Sequence, residues 1–156
     1  MATEVVNRQR RIRIDRGRIA HLADQALDAV GRPDAAITVA FVRDAAIRRL
    51  NRDYRGKDTP TDVLSFPAHE DLPSSTGLAQ LEQPDDSRRG RYLGDVVISA
   101  DTAISQAQES SYTFEREVSE LVIHGVLHLC GYDHEADRGE MNRLELKLRR
   151  RLLTEG

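Results

Sequence analysis

The sequence predicts an α+β fold: a four-stranded, mixed sheet with about five helices. Three observations carry that prediction. Hydrophobic periodicity alternates between strand and helix in the order β-α-β-α-β-β-α-α-α. Two runs, Ala36–Val42 and Asp95–Ser99, are rich in β-branched apolar residues and read as strands, the first of them central. A segment after Thr113 is apolar around most of a helical circumference, so it is expected to be a buried helix near the sheet, with its His124/His128 face opening onto a cleft.

The elements follow in order. Arg11-Ile-Arg-Ile14 alternates charged and apolar residues, the pattern of a half-exposed first strand. Ile19, Leu22, Ala23, Ala26, Leu27 and Val30 recur at helical spacing, and Gly31 and Pro33 end that helix. After the strand Ala36–Val42, Asp44 is placed as the N-cap of a helix carrying Ile47, Leu50 and Tyr54 on one side. Val63–Phe66 is a short strand that ends at Pro67. Residues 68–91 are rich in Asp, Glu, Pro, Ser and Gly and read as a flexible surface excursion, not a second domain. Asp95–Ser99 is the fourth strand, and a helix follows from about Asp101 to Ser110. Thr113 caps the next helix, with Glu115 and Glu117 near the positive end of its dipole. Its apolar positions are Val118, Leu121, Val122, Val126 and Leu129. Asp137-Arg-Gly-Glu140 resembles a capping box opening a last helix with Met141, Leu144, Leu148 and Leu152 as its core stripe.

Composition narrows the functional classes. The 156 residues, 39% hydrophobic and 31% charged, suit one soluble domain spanning 1–156. No apolar run reaches the length of a membrane span. The first residues lack a basic segment followed by an apolar one, so no signal peptide is expected. A single cysteine, Cys130, excludes an internal disulfide and reads as a small buried filler. Together these point to a cytoplasmic protein without a membrane partner. The net charge of −3 does not announce nucleic acid. Local charge is less bland: Arg8, Arg10, Arg11, Arg13, Arg16 and Arg18 cluster near the start, and Lys147, Arg149, Arg150 and Arg151 near the end. Either group can contact phosphates, or simply be a solvated face.

The chemistry concentrates in His124-Gly-Val-Leu-His128-Leu-Cys-Gly131-Tyr-Asp133-His134. Residues four apart on a helix share a face, so His124 and His128 can offer ring nitrogens to one ion. Gly131 can end the helix in a left-handed C-cap, and the reversing chain can return His134 as a third ligand. Three imidazoles with one open position suit a catalytic zinc, whose chemistry is hydrolysis. The run matches the zinc-protease pattern His-Glu-x-x-His-x-x-Gly-x-x-His except at one position. Gly125 stands where those proteases keep their general-base glutamate, and is read as leaving space above the metal. Glu117, Glu120 and Asp133 are nearby, but none occupies that position. Asp133 is equally a turn former or a group orienting a histidine. His21 is expected on a helix surface, and His69 has no assigned role.

The histidine run resembles the signature of the YbeY family of endoribonucleases and ribosomal RNA maturation factors. Asn51-Arg-Asp-Tyr-Arg55-Gly-Lys-Asp, Thr61-Asp-Val-Leu-Ser-Phe-Pro67 and Gly94-Asp-Val-Val-Ile-Ser99 resemble that family's other motifs in the same order, so the likeness spans roughly residues 37–150. The resemblance implies one zinc ion held by His124, His128 and His134. It implies cleavage of ribosomal RNA, in maturation of the 3′ end of the small-subunit RNA and in ribosome quality control, with RNA and the small ribosomal subunit as partners. It also makes Arg55 the catalytic, substrate-binding arginine of the cleft; the alternative is a loop arginine closing onto Asp58 or Asp62. The segment 68–91 is longer than the family pattern, and the arginine-rich start has no match in it. Two competing functions fit the same residues. One is a zincin-like metallopeptidase, which Gly125 opposes. The other is a non-catalytic ribosome-associated factor with a structural metal.

Overall fold

The computed structural model describes residues 3–68, 92–132 and 138–153. Nine elements lie within them: β1 (Glu4–Asn7), α1 (Arg16–Ala29), β2 (Ala36–Val42), α2 (Asp44–Arg55), β3 (Val63–Pro67), β4 (Tyr92–Ser99), α3 (Ala100–Ser110), α4 (Phe114–Leu129) and α5 (Glu140–Leu152). The sheet runs in the order β1-β2-β4-β3. β2 is parallel to β1 and to β4, and β3 runs antiparallel along the outer edge of β4. The fold is thus α+β with a mixed four-stranded sheet, as the periodicity predicts. The excursion read at 68–91 lies outside the described residues beyond Ala68.

The period of two along each strand separates two cores. Ile37, Val39 and Phe41 of β2 and Val96 and Ile98 of β4 face α1, α3 and α4. Val42, Leu64, Phe66 and Val97 face the other way and pack against Ile47 of α2. So α4 covers one face of the sheet and α2 the opposite one. A third cluster joins Ile123 and Leu127 of α4 to Met141 and Leu148 of α5.

Four local expectations are corrected. The first strand is Glu4–Asn7, not Arg11–Ile14. Residues 8–14 instead turn around Gln9, 7% exposed, whose amide donates to the Ile12 carbonyl (2.8 Å) and accepts from the Ile12 N–H (3.1 Å). A side chain there supplies the hydrogen bonds a strand neighbour would have supplied. Asp44 is not the N-cap of α2 but its first residue; Arg43 is the cap and makes no side-chain capping bond. The last helix starts after Gly139, at φ 95°, with Glu140 accepting from the Arg138 N–H at 2.7 Å; Asp137 lies outside the described residues. Cys130 is half-buried, not buried, and burial pushes its thiol pKa up.

Two helix starts are tied together at the carboxyl ends of β2 and β4. The Asp44 carboxylate accepts from Ser99 Oγ (2.5 Å) and Thr102 Oγ1 (2.7 Å) at the start of α3. In return, Asp101 of α3 accepts the Asp44 backbone N–H (2.8 Å), Arg43 Nε (2.8 Å) and Arg11 Nη1 (2.6 Å). Each carboxylate sits at a helix N-terminus, where the dipole favours negative charge.

Candidate functional site

The site is built on α4. Thr113 Oγ1 caps it by accepting from the Arg116 N–H at 3.1 Å. Its C-terminus closes with a paired turn: Gly131 N–H donates to the His128 carbonyl and Tyr132 N–H to the Leu127 carbonyl, both at 3.0 Å. Gly131 stands at φ 97°, a conformation that costs an L side chain and that the sequence assigned to it.

His124 and His128 sit on one face of α4, as their spacing requires. Their Nε2 atoms approach to 3.1 Å and their rings meet edge to face. Two nitrogens bound tetrahedrally to one zinc at about 2.0–2.1 Å stand roughly 3.3 Å apart, close to the separation of this pair. The other nitrogen of His124, Nδ1, lies 2.6 Å from Glu145 Oε1 of α5. Glu145 is 8% exposed. Burial would raise its pKa, but the His124 contact and the charges of His124 and Arg149 outweigh it and hold the carboxyl below its usual range. An ionised Glu145 keeps the proton on Nδ1 and leaves Nε2 as the lone-pair nitrogen.

Behind Glu145 the charges continue. Arg149 donates to Glu145 Oε2 (2.5 Å) and lies 3.3 Å from Glu120 Oε1; Arg116 Nε donates to Glu120 Oε2 (2.8 Å). Arg116 also donates to the Leu153 carbonyl at 3.1 Å, which ties the end of α5 to α4. Arg149, which the sequence placed in a basic cluster, is therefore engaged inside the fold. Glu117 lies two turns before His124 on the same stripe. Burial, and then the nearby charges of Glu120 and Asp62, push its pKa up. With its amide oriented to donate, Gln106 reaches Glu117 Oε2 at 3.0 Å and Asp62 Oδ2 at 3.3 Å.

Other site expectations fare differently. His134 and Asp133 lie outside the described residues, as does His69. Among the described residues no three His, Cys, Asp or Glu side chains converge as a metal site. Arg55 is the last residue of α2, whose apolar side packs on the sheet face opposite α4, and is exposed. Among the described residues it forms no ion pair with Asp58, which is held by Arg48 at 2.9 Å, or with Asp62, which accepts from the Val63 N–H at 2.8 Å. The loop 56–62 carries the chain from Arg55 round to β3, and Ser65 of β3 makes a long 3.5 Å contact with the Gly125 carbonyl of α4.

Gly125 overturns one reading. A Cβ built on it would stand 2.6 Å and 2.8 Å from the two γ carbons of Val96. Its hydrogen faces the sheet, so glycine is there for close helix–sheet approach and does not leave space above a metal. Glu145 is the group that sequence reasoning missed. It lies 21 residues from His124, beyond any local motif. Its one signal is position: it falls between Met141 and Leu148 on the apolar stripe of α5.

A small α+β fold with a histidine pair on a buried helix, and a carboxylate fixing one ring from behind, belongs with proteins that can hold a metal ion through imidazole nitrogens. Comparison with known proteins gives the family. The model of "Endoribonuclease YbeY" matches residues 4–153. An endoribonuclease YbeY of Geobacter sulfurreducens is 41% identical over 150 residues, 96% of this chain and 92% of the relative. Another, from Heliobacterium modesticaldum, is 44% identical over 136 residues, 85% and 80% of the two chains. A solution structure from Thermotoga maritima superposes with a TM-score of 0.59 at 26% identity, covering 98% of this chain and 90% of that one. The chain belongs to the YbeY endoribonuclease family. It is an enzyme that cleaves phosphodiester bonds within RNA.

Proposed function

We propose that the chain is a zinc-dependent endoribonuclease of ribosomal RNA processing, acting in maturation of the 3′ end of the small-subunit RNA and in ribosome quality control. The small ribosomal subunit or proteins bound to it present the substrate, in the cytoplasm. His124, His128 and His134 hold the ion and Arg55 holds a phosphate. The observation that carries the metal assignment is the 3.1 Å approach of two Nε2 atoms, one of them on a ring fixed by Glu145. Among the described residues no helix is long and apolar enough to cross a membrane.

A zinc ion supplies Lewis-acid polarisation of the attacked phosphate. The protein's own groups do the rest. Glu145 holds His124 in the tautomer that presents Nε2. The Arg55 guanidinium grips a phosphate through two N–H groups and answers the charge that develops as the bond breaks. The attacking oxygen is that of water or of the RNA 2′-hydroxyl, and the product ends decide: a 2′,3′-cyclic phosphate assigns the attack to the 2′-hydroxyl.

The test joins metal analysis to cleavage of a small-subunit rRNA fragment. His128→Ala is expected to lose both bound metal and cleavage. Arg55→Ala is expected to keep the metal and lose roughly 10²–10³-fold in rate, the scale for removing a group that stabilises developing charge. Wild-type cleavage that survives both substitutions shows that the assigned site is wrong.

A further inference from the structure

The N-terminal arginines do not lie in the histidine site. Arg13, Arg16 and Arg18 line an open cleft of about 470 Å³ between the start of α1 and the start of α4, together with the carboxylates of Asp15 and Glu115 and with Phe114 and Val118 as its apolar side. Residues 8–18 carry six arginines against one acidic residue, Asp15. The fold uses some of them: Arg11 is paired with Asp101, and Arg18 donates to Ser119 Oγ at 3.2 Å. Arg13 and Arg16 are exposed and form no ion pair among the described residues. The Asp15 carboxylate already caps α1 by accepting the Arg18 N–H at 3.1 Å, so the positive field of the cleft comes from guanidinium groups rather than from free helix amides.

Phe114 and Glu115 stand in the first turn of α4, and Phe114 is ten residues before His124, about 15 Å along the helix at 1.5 Å per residue. The cleft is thus a surface separate from the histidine pair. A chain of net charge −3 gains little from its overall field when it meets a polyanion. The stripe that carries the histidines also carries Glu117 and Glu120. Attraction for phosphates therefore has to come from a local patch. The patch here pairs unengaged arginines with an aromatic, half-buried wall, the combination on which single-stranded nucleic acid tracks its backbone and stacks a base.

We propose that this cleft is a second RNA-binding surface, which holds a single-stranded segment of the substrate through Arg13 and Arg16 away from the bond that is cut. The proposal rests on the reading of the chain as an RNA-cleaving enzyme, but its test does not need cleavage. Binding of a single-stranded RNA oligonucleotide is titrated against salt for the full-length wild type and for R13E/R16E. The expected result is binding weakened roughly tenfold at low salt, and a plot of log K against log salt that is shallower by about 1.4, two lost phosphate contacts at about 0.7 each. R13K/R16K keeps the charges and is expected to keep the slope. Should charge reversal unfold the segment, seen as a lost thermal transition, the neutral R13Q/R16Q carries the same expected loss of slope.

Unchanged affinity and slope in the charge-reversed and neutral variants overturn the proposal. So does unchanged RNA binding with lost binding of a polyglutamate peptide, which moves the surface to an acidic protein. A wild type that binds RNA through these arginines but cuts none supports this surface and sinks the proposed activity. A wild type that cuts RNA, with slopes unmoved by the substitutions, does the reverse.

Discussion

At the scale of single residues, the arrangement turns on which nitrogen of His124 carries the proton. The histidine run alone leaves that open, because an imidazole has two tautomers. Glu145 closes the question from another helix, at 2.6 Å from Nδ1. Carboxylates in this position sustain metal affinity by 10–100-fold, so Glu145→Ala is expected to weaken metal binding by about that factor. Competition with a chelating dye measures it; an affinity equal to wild type would mean that Glu145 only pins α5 to α4. The histidine spacing was legible because a helix repeats in sequence. Glu145 was not, because the contact is tertiary, although a carboxylate inside an apolar stripe hints at a buried partner. Gly125 was misread for a related reason. Its neighbour in the protease pattern suggested chemistry, while its real neighbour is Val96 across the helix–sheet gap. Gly125→Ala, which in an open helix gains up to about 1 kcal/mol, is expected here to lose about 1–3 kcal/mol in urea unfolding. Shortening the obstructing side chain in the double variant with Val96→Ala is expected to return part of that loss. A stabilised single variant would show that the sheet yields.

At the scale of elements, sequence patterns located strands and helices where the chain's own periodicity decides them, and failed where a side chain took over backbone pairing. β2, β4, α1 and α4 carry long apolar patterns and were found within a few residues of their ends. The first strand was placed seven residues late. Arg11–Ile14 alternates like a strand, but Gln9 satisfies both backbone groups of Ile12, and Arg11 is drawn to Asp101. Glu4–Asn7 holds only two apolar residues and gains its structure from parallel pairing with Thr38–Phe41, which no local signal records. The end of α4 was legible because its glycine is conformational. Nothing lies within 4 Å of a Cβ built on Gly131, so the cost of alanine there is that of φ 97° itself. Gly131→Ala is expected to destabilise by about 1–2 kcal/mol. Because the turn opens the segment that leads to His134, it is also expected to lower metal affinity. A variant with lowered melting temperature and intact affinity would separate the helix end from the metal site.

At the scale of the whole molecule, the charges that fasten one element to another set how stability follows pH. Asp101 joins three parts of the chain: the N-terminal turn through Arg11, the start of α2 through Arg43 and the Asp44 N–H, and its own helix α3. Burial alone would raise its pKa; its bonds to Arg43, the Asp44 N–H and Arg11 outweigh that and hold it at about 2, against an ordinary 3.8. The folded-state value is the lower one, so the unfolded chain binds the proton first as pH falls. The contribution, about 2 kcal/mol from the size of the shift, is fully present above pH about 4 and is lost as pH falls toward about 2. Glu117 works in the opposite sense. Its value is raised by burial and by Glu120 and Asp62, so the stability linked to its protonated form is present at low pH and declines as pH rises through its folded-state value. The two are separable by substitution. Asp101→Asn is expected to be less stable than wild type at pH 7, with the difference shrinking between pH 4 and 2 as the wild type loses its own advantage. Glu117→Gln is expected to match wild type in acid and to gain on it toward neutral pH. Urea unfolding across this range measures both, and a pH-independent difference for Asp101→Asn would mean that shape, rather than charge, makes the clamp.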